Sequence, residues 1–218
     1  MYAETLFEAL LAGLVCGFVV SVPVGPVNLT VINHALRRGF LQAFLVGVGA
    51  VTAETLYASV LMAGHTAILN LPPVRIALRI TAVVVIAVIG LRSLLFKEEK
   101  FQASAAARAE KVDERWHHPR AFLLGFILTL SNLMLLVLWA TLSALLFARE
   151  WVQPELPSRS MCTVGVFAGG VVWFFLLAFF VSRAHRRVNP RVLTALVRGC
   201  GGVFLLFAGL LAFKLFQR

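Results

Sequence analysis

One acidic residue of this chain lies inside an apolar run. Glu54 is surrounded by hydrophobic residues over 40–63, whereas the other nine Asp and Glu residues lie near the termini or in polar segments. A carboxyl group in apolar surroundings favours its protonated form and exchanges the proton when water reaches it. Glu54 is therefore predicted to exchange a proton or to bind the ammonium group of a solute. The structural alternative is a protonated carboxyl that only hydrogen-bonds a neighbouring helix.

A second candidate feature is the segment PVGPVN at 23–28, near the end of the first apolar run. Each proline lacks a backbone N–H and clashes with the carbonyl four residues earlier, so Pro23, Gly25 and Pro26 predict a broken helix. The N–H groups that follow such a break carry partial positive charge and suit a carboxylate. We therefore predict that Gly25, Pro26 and Asn28 bind a solute carboxylate. The alternative is a kink that serves only packing.

Two further polar residues complete the predicted site. Tyr57 follows Glu54 by three residues and so shares its helical face. Asn132 lies in the fourth apolar run. Both are predicted to line the solute cavity, although polar side chains within a membrane also serve simply to join helices.

The elements that position these residues are apolar helices. The 218 residues are 60% hydrophobic and 14% charged, well below the roughly 25% charged residues of soluble domains. A membrane core about 30 Å thick needs roughly 20 apolar residues per helix. Six runs qualify, and they predict an all-α polytopic membrane protein with spans at 6–27, 40–63, 74–96, 121–147, 161–181 and 199–216.

The basic residues predict the orientation of these spans. The net charge is +10, and 14 of the 20 Lys and Arg residues lie in the first, third and fifth polar segments, the first of them at 34–39. Positively charged loops stay in the cytoplasm, so both termini are predicted outside, N-out and C-out. The cations are thus explained by the lipid bilayer, and we expect no nucleic-acid partner.

The chain also contains a weak internal repeat. Residues 17–22 (GFVVSV) are similar to residues 125–130 (GFILTL), and a polar segment at 97–120 divides the chain between them. This predicts a first three-helix half at 1–96, a cytoplasmic linker at 97–120 and a second half at 121–218. Because each half has an odd number of spans, the repeat would be inverted, as in many secondary transporters.

Other clusters give no sign of a catalytic or metal centre. The three cysteines have no ligand spacing, and the adjacent His117 and His118 lack the i,i+4 spacing of a helical metal site. We expect no metal, no cofactor and no enzyme activity. Gly13 with Gly17, and the pair at 165 and 169, allow close helix packing. Whether they pack within one chain or across a homodimer stays open.

With these residues in view, the chain resembles the LysE/RhtB family of amino-acid exporters. The resemblance rests on the 23–28 segment, the following ALRRG at 35–39 and the acid in the second span. It implies proton-driven export of amino acids or related small molecules across the bacterial cytoplasmic (inner) membrane. Two positions depart from the family: Glu54 stands where aspartate is usual, and Asn132-Leu133 where Asn-Pro is usual, which leaves open whether the fourth span breaks.

The sequence therefore predicts a secondary active transporter, with Glu54 as the proton-coupling group and with small-molecule substrate, protons and lipid as partners. The alternatives are an exporter of a non-amino-acid solute or metal ion, an intramembrane enzyme, or a scaffold. A metal ion would need several carboxylates, and an enzyme would need a nucleophile with its base at membrane depth.

Overall fold

Long helices make up the described part of the chain. The computed structural model describes residues 2–22, 25–68 and 121–183, with scattered residues between 80 and 95 and between 198 and 209. Within these ranges all regular structure is helical. The helices are α1 (Tyr2–Ser21), α2 (Pro26–Arg38), α3 (Phe40–Ile68), α4 (Ala121–Leu130), α5 (Leu133–Ala148) and α6 (Leu156–Arg183).

Three of these helices are long and apolar enough to cross a membrane, over Glu4–Ser21, Phe40–Gly64 and Leu156–Arg183. Helices α4 and α5 make a fourth candidate span, bent by 72° at their junction. The chain is thus an all-α polytopic membrane protein, as predicted. Most of the predicted spans 74–96 and 199–216 lies outside the described residues, as does the whole linker 97–120 with its His117 and His118.

Helix α2 corrects one expectation from the sequence. Residues 34–39 are predicted as a polar segment, whereas α2 continues to Arg38 and joins α3 through Gly39 alone. Gly39 has φ 86°, a left-handed conformation that glycine adopts without steric cost. Three polar residues of α2, Asn28, Thr30 and His34, are buried. Hydropathy misses this helix because these polar groups are buried with partners inside the protein, Thr30 and His34 within α2 itself and Asn28 on α1 and α6.

Glycines let two pairs of helices pack backbone against backbone. A Cβ atom added at Gly17 of α1 would overlap the carbonyl oxygen of Val166 in α6. A Cβ atom at Gly125 of α4 would overlap the carbonyl oxygen of Val46 in α3 in the same way. Such close approach stabilises helix pairs in lipid, where van der Waals packing replaces the hydrophobic effect.

The two close pairs use corresponding positions. A shift of 108 residues relates the contacts of α1 to those of α4, and a shift of 120 residues relates α3 to α6. The contact of Gly17 with Val166 corresponds to that of Gly125 with Val46. The contact of Gly169 with Leu14 corresponds to that of Gly49 with Phe122. The shift of 108 is also the one that aligns 17–22 with 125–130 in the sequence.

The helices that correspond run in opposite directions. Helices α1 and α6 are parallel, α3 and α6 are antiparallel, and α3 and α4 are parallel, so α1 and α4 are antiparallel. The direction of α1 relative to α6 follows from the contacts of Gly13 with Cys162 and of Gly17 with Val166. That of α3 relative to α6 follows from the contacts of Gly47 with Phe174 and of Val51 with Gly170. That of α3 relative to α4 follows from the contacts of Gly49 with Phe122 and of Tyr57 with Leu130.

Two apolar clusters lie on either side of a polar layer. The first apolar cluster includes Ala9, Ala58, Met62, Trp139, Leu142, Cys162 and Val166. The second apolar cluster includes Val31, Val46, Val51, Leu124, Phe174 and Ala178. Along α3, Glu54 falls between Val51 of the second cluster and Ala58 of the first. The polar layer is therefore at the middle of α3.

Candidate functional site

The carboxyl group of Glu54 is enclosed at the midpoint of α3, where the residue is 6% exposed. Its Oε2 atom lies 3.1 Å from the Oγ atom of Ser21, the last residue of α1. Gly170 of α6 completes the enclosure, because a Cβ atom there would lie 3.2 Å from Ser21 Oγ and 2.7 Å from Val51 Cγ2. The end of one helix and the middles of two others thus meet at the one buried acid of the described spans.

The Ser21 hydroxyl has two acceptors within reach and one proton. Its Oγ atom lies 2.8 Å from the carbonyl oxygen of Gly17 and 3.1 Å from Glu54 Oε2. When Ser21 donates to Gly17, a protonated Glu54 can donate to Ser21 Oγ. When Glu54 is ionised, Ser21 can turn its proton to the carboxylate. One rotating hydroxyl therefore serves both protonation states without movement of either helix.

Asn28 joins the two sides of the first break, which separates the end of α1 at Ser21 from the start of α2 at Pro26. Its Nδ2 atom donates to the carbonyl oxygen of Ser21 at 2.9 Å, and its Oδ1 atom accepts from Trp173 Nε1 of α6 at 3.0 Å. The Ser21 carbonyl lies in the last turn of α1, where the helix supplies no N–H partner. The Trp173 ring also packs edge-to-face on Phe18, with centroids 5.6 Å apart. Asn28 thus ties α1, α2 and α6 together at the break.

A second break separates α4 from α5, although no proline is present there. The Tyr57 hydroxyl of α3 donates to the carbonyl oxygen of Leu130 at 2.6 Å, and Ser131 Oγ donates to that of Ile127 at 2.7 Å. Side-chain hydroxyls therefore satisfy carbonyl groups at the end of α4, as a backbone at membrane depth requires. Asn132 is exposed at the start of α5 and its side chain does not cap that helix.

Helix α3 brings the predicted site residues to one depth. Glu54 contacts the first break and Tyr57 the second, and three residues of helix separate them by about 4.5 Å. Asn28 meets Glu54 through their shared neighbour Ser21. Gly25 and Pro26, both half-buried, are the N-cap and first residue of α2. Pro23 lies outside the described residues, and Asn132 is placed at the second break beside Leu130.

Sequence reasoning missed the partners of these residues. Ser21 is part of the small-residue face of α1, which indicates packing and not a bond to an acid 33 positions away. Trp173 looks like apolar bulk, although a buried indole N–H usually needs an acceptor and so hinted at one. His34 is buried in α2, with its Nδ1 atom 3.0 Å from the carbonyl oxygen of Thr30.

The chemistry of the polar layer suits a small organic solute. Around Glu54 it combines the carboxyl group with the Ser21 hydroxyl, the Asn28 amide and the Trp173 indole N–H, between two apolar clusters. Over the ranges that the structure describes, no group of three or more His, Cys, Asp or Glu side chains is placed to hold a metal ion. A few polar groups in apolar walls are typical of sites for small molecules.

Membrane-spanning helices, a bent helix pair and a carboxyl at the depth of both breaks are features of a membrane translocator. Residues 18–215 match the family LysE type translocator, and the chain belongs to that family. This confirms the resemblance found in the sequence, and it implies a transporter rather than an enzyme.

Two relatives are similar over nearly their whole length. The "Putative amino acid efflux protein YcgF" of Bacillus subtilis is 26% identical over 199 residues, covering 91% of this chain and 92% of the relative. The "Chemotactic transduction protein ChpE" of Pseudomonas aeruginosa is 26% identical over 200 residues, covering 92% of this chain and 95% of the relative. No solved structure matches the chain.

Proposed function

We propose that this protein is a secondary transporter of the bacterial cytoplasmic (inner) membrane that exports an amino acid or a related small molecule in exchange for protons. Membership of the translocator family and the name of the Bacillus relative support efflux of amino acids. The observation that carries the proton coupling is the enclosure of Glu54 beside Ser21 at the first break.

In this proposal one carboxyl group alternates between two ligands. The ammonium group of the solute binds the ionised form of Glu54, and a proton replaces it on the same oxygen atoms. A buried carboxylate without a counter-charge is costly, so either cation stabilises the site. The rotating Ser21 hydroxyl provides a hydrogen-bond partner in both conditions. Competition between proton and solute for one group couples their movement in opposite directions.

The other end of the solute is placed at the start of α2. Its carboxylate would lie at Gly25 and Pro26, where the helix dipole is positive. Asn28 and the Trp173 N–H are the polar side chains at that position. Tyr57 and Asn132 line the same depth from the second break. A carboxyl group at one end and a helix start at the other suit a small solute that carries both charges.

Access from the two sides would alternate by movement of one half of the chain against the other. The corresponding glycine contacts and the opposite directions of α1 and α4 support an inverted repeat with its halves at 1–96 and 121–218. The bias of basic residues toward the first, third and fifth polar segments supports the N-out, C-out orientation. The first apolar cluster would then lie toward the outside and the second toward the cytoplasm.

The test is the variant Glu54→Gln in proteoliposomes loaded with an amino-acid mixture and placed under a pH gradient. Glutamine keeps the size and hydrogen bonding of the side chain but neither ionises nor pairs with ammonium. We expect efflux driven by the pH gradient to fall on the order of 100-fold, the loss typical of a buried charged contact. Glu155→Gln, the same change at an exposed acid, should leave efflux unchanged.

Two results would contradict the proposal. Efflux by Glu54→Gln at the wild-type rate, with its dependence on the pH gradient intact, would remove Glu54 from the mechanism. If the wild-type protein moves no amino acid of the mixture but moves a metal ion or another solute, the alternative substrates that the sequence leaves open are favoured.

A further inference from the structure

Arg159 is a half-buried cation with an unusual position. It lies in the first turn of α6, and its Nη1 atom donates to the carbonyl oxygen of Met62 in α3 at 3.3 Å. The side chain therefore reaches across to a neighbouring helix. An arginine at this depth usually extends toward water or headgroups instead.

The rest of the guanidinium group has no partner in the part of the chain that the structure describes. The Nε atom is buried without a hydrogen bond, and Arg159 forms no ion pair among the described residues. A donor of a charged group that is buried without an acceptor is costly, and an anion would satisfy it. The edge formed by Nε and Nη2 presents two parallel N–H groups, the geometry that binds a carboxylate or phosphate through both oxygen atoms.

The place of Arg159 along the bundle indicates a relation to transport. Met62 follows Glu54 by eight residues on α3, which is about 12 Å along the helix axis. Met62 belongs to the first apolar cluster, together with Ala9 near the start of α1. The guanidinium group therefore lies between Glu54 and the side of the membrane where α1 begins, which is the outer side in the proposed orientation.

We propose that the Nε–Nη2 edge of Arg159 is an oxyanion site at the outer end of the solute path. Its ligand is the carboxylate of the departing solute or the phosphate of a lipid headgroup, which share the same chemistry. The assignment of the solute carboxylate as the ligand rests on the proposed function, whereas the presence of an oxyanion site does not. A solute that leaves Glu54 would meet this cation before reaching the outer solution.

The first test measures binding without transport, on the full chain purified in an uncharged detergent. Sodium propionate should raise the Tm of the wild-type protein by a few degrees, and propionamide, which lacks the charge, should not. A short-chain phosphatidylglycerol tests the lipid source in the same assay. Arg159→Gln, which retains a donor for the Met62 carbonyl, should lose the response to whichever anion binds. Arg149→Gln, a change at an exposed arginine before α6, should keep it.

The second test separates the two sources in proteoliposomes. If the solute carboxylate binds, Arg159→Gln should raise the KM for amino acid added on the outer side at least about tenfold in neutral and in anionic lipid alike. If lipid phosphate binds, the variant should differ from wild type only in anionic lipid. Equal anion-induced shifts in Arg159→Gln and wild type would overturn the site. If the wild-type protein transports no amino acid, the proposed function is wrong, but the result of the anion-binding test is unaffected.

Discussion

The two breaks share a backbone arrangement but differ in chemistry. In the first, Ser21 ends α1 and its hydroxyl meets Glu54. The shifts of 108 and 120 residues that relate the helix contacts place Thr129 where Ser21 stands and Phe174 where Glu54 stands. Thr129 is 2% exposed, and its hydroxyl has no hydrogen-bond partner in the described structure. An apolar ring at the position of the acid accounts for that unpaired hydroxyl.

This comparison separates architecture from activity. The packing of α1 on α6 and of α4 on α3 uses glycine contacts at corresponding positions in the two halves. Among the described residues, only the first break brings a carboxyl group to the polar layer. We therefore expect changes to the shared packing to affect both halves alike, and changes to the hydroxyl groups that end α1 and α4 to affect transport only at the first break.

The largest expected effect is on the shared packing. Gly17→Leu and Gly125→Leu each place a side chain against a backbone carbonyl that cannot move aside, and overpacking costs about 1–3 kcal/mol even where neighbours can adjust. Both variants should fail to yield monodisperse protein in detergent, as size-exclusion chromatography would show. Gly64→Leu is the control, because nothing lies within 4 Å of its Cβ position. If only one of the two variants, Gly17→Leu or Gly125→Leu, yields monodisperse protein, the α1–α6 and α3–α4 helix pairs are not equivalent.

The next effect distinguishes the two hydroxyls. Ser21→Ala removes the hydrogen bond to Glu54, and we expect export driven by a pH gradient to fall about tenfold, the loss of one hydrogen bond to a charged group. Thr129→Val removes a hydroxyl that has no partner among the described residues, so export should stay at the wild-type rate and the free energy of unfolding should change by less than about 1 kcal/mol. An equal loss of export in Ser21→Ala and Thr129→Val would show that the two breaks do not differ in function.

The smallest effect concerns the second break alone. Tyr57→Phe leaves the Leu130 carbonyl without its hydroxyl donor, and we expect a loss of about 1–3 kcal/mol in the stability of the α4–α5 junction. Hydrogen exchange at residues 132–135 should become faster. Ser131→Ala is the matched control, since the Ile127 carbonyl also accepts the backbone N–H of residue 131. Unchanged exchange in Tyr57→Phe would show that the break persists without this bond.

Local physical rules made much of this protein readable from its sequence. The cost of polar groups in lipid predicts the spans, and proline and glycine predict the break before Pro26, where α2 begins. Glu54 stands out because it is an acid in an apolar run. The same rules fail for α2, whose polar residues look like a loop, and for the second break, where no proline announces the bend.

What tertiary structure alone decided is which groups meet. Ser21 and Glu54 are 33 residues apart, and Asn28 and Trp173 are 145 apart, so no local pattern pairs them. The second break depends on a hydroxyl delivered by α3 to the end of α4. Residue types determined the depth of each group in the membrane, because transfer from water to lipid depends on the side chain itself. Partners were determined by how closely the glycine faces let the helices approach, since a hydrogen bond forms only within about 3 Å.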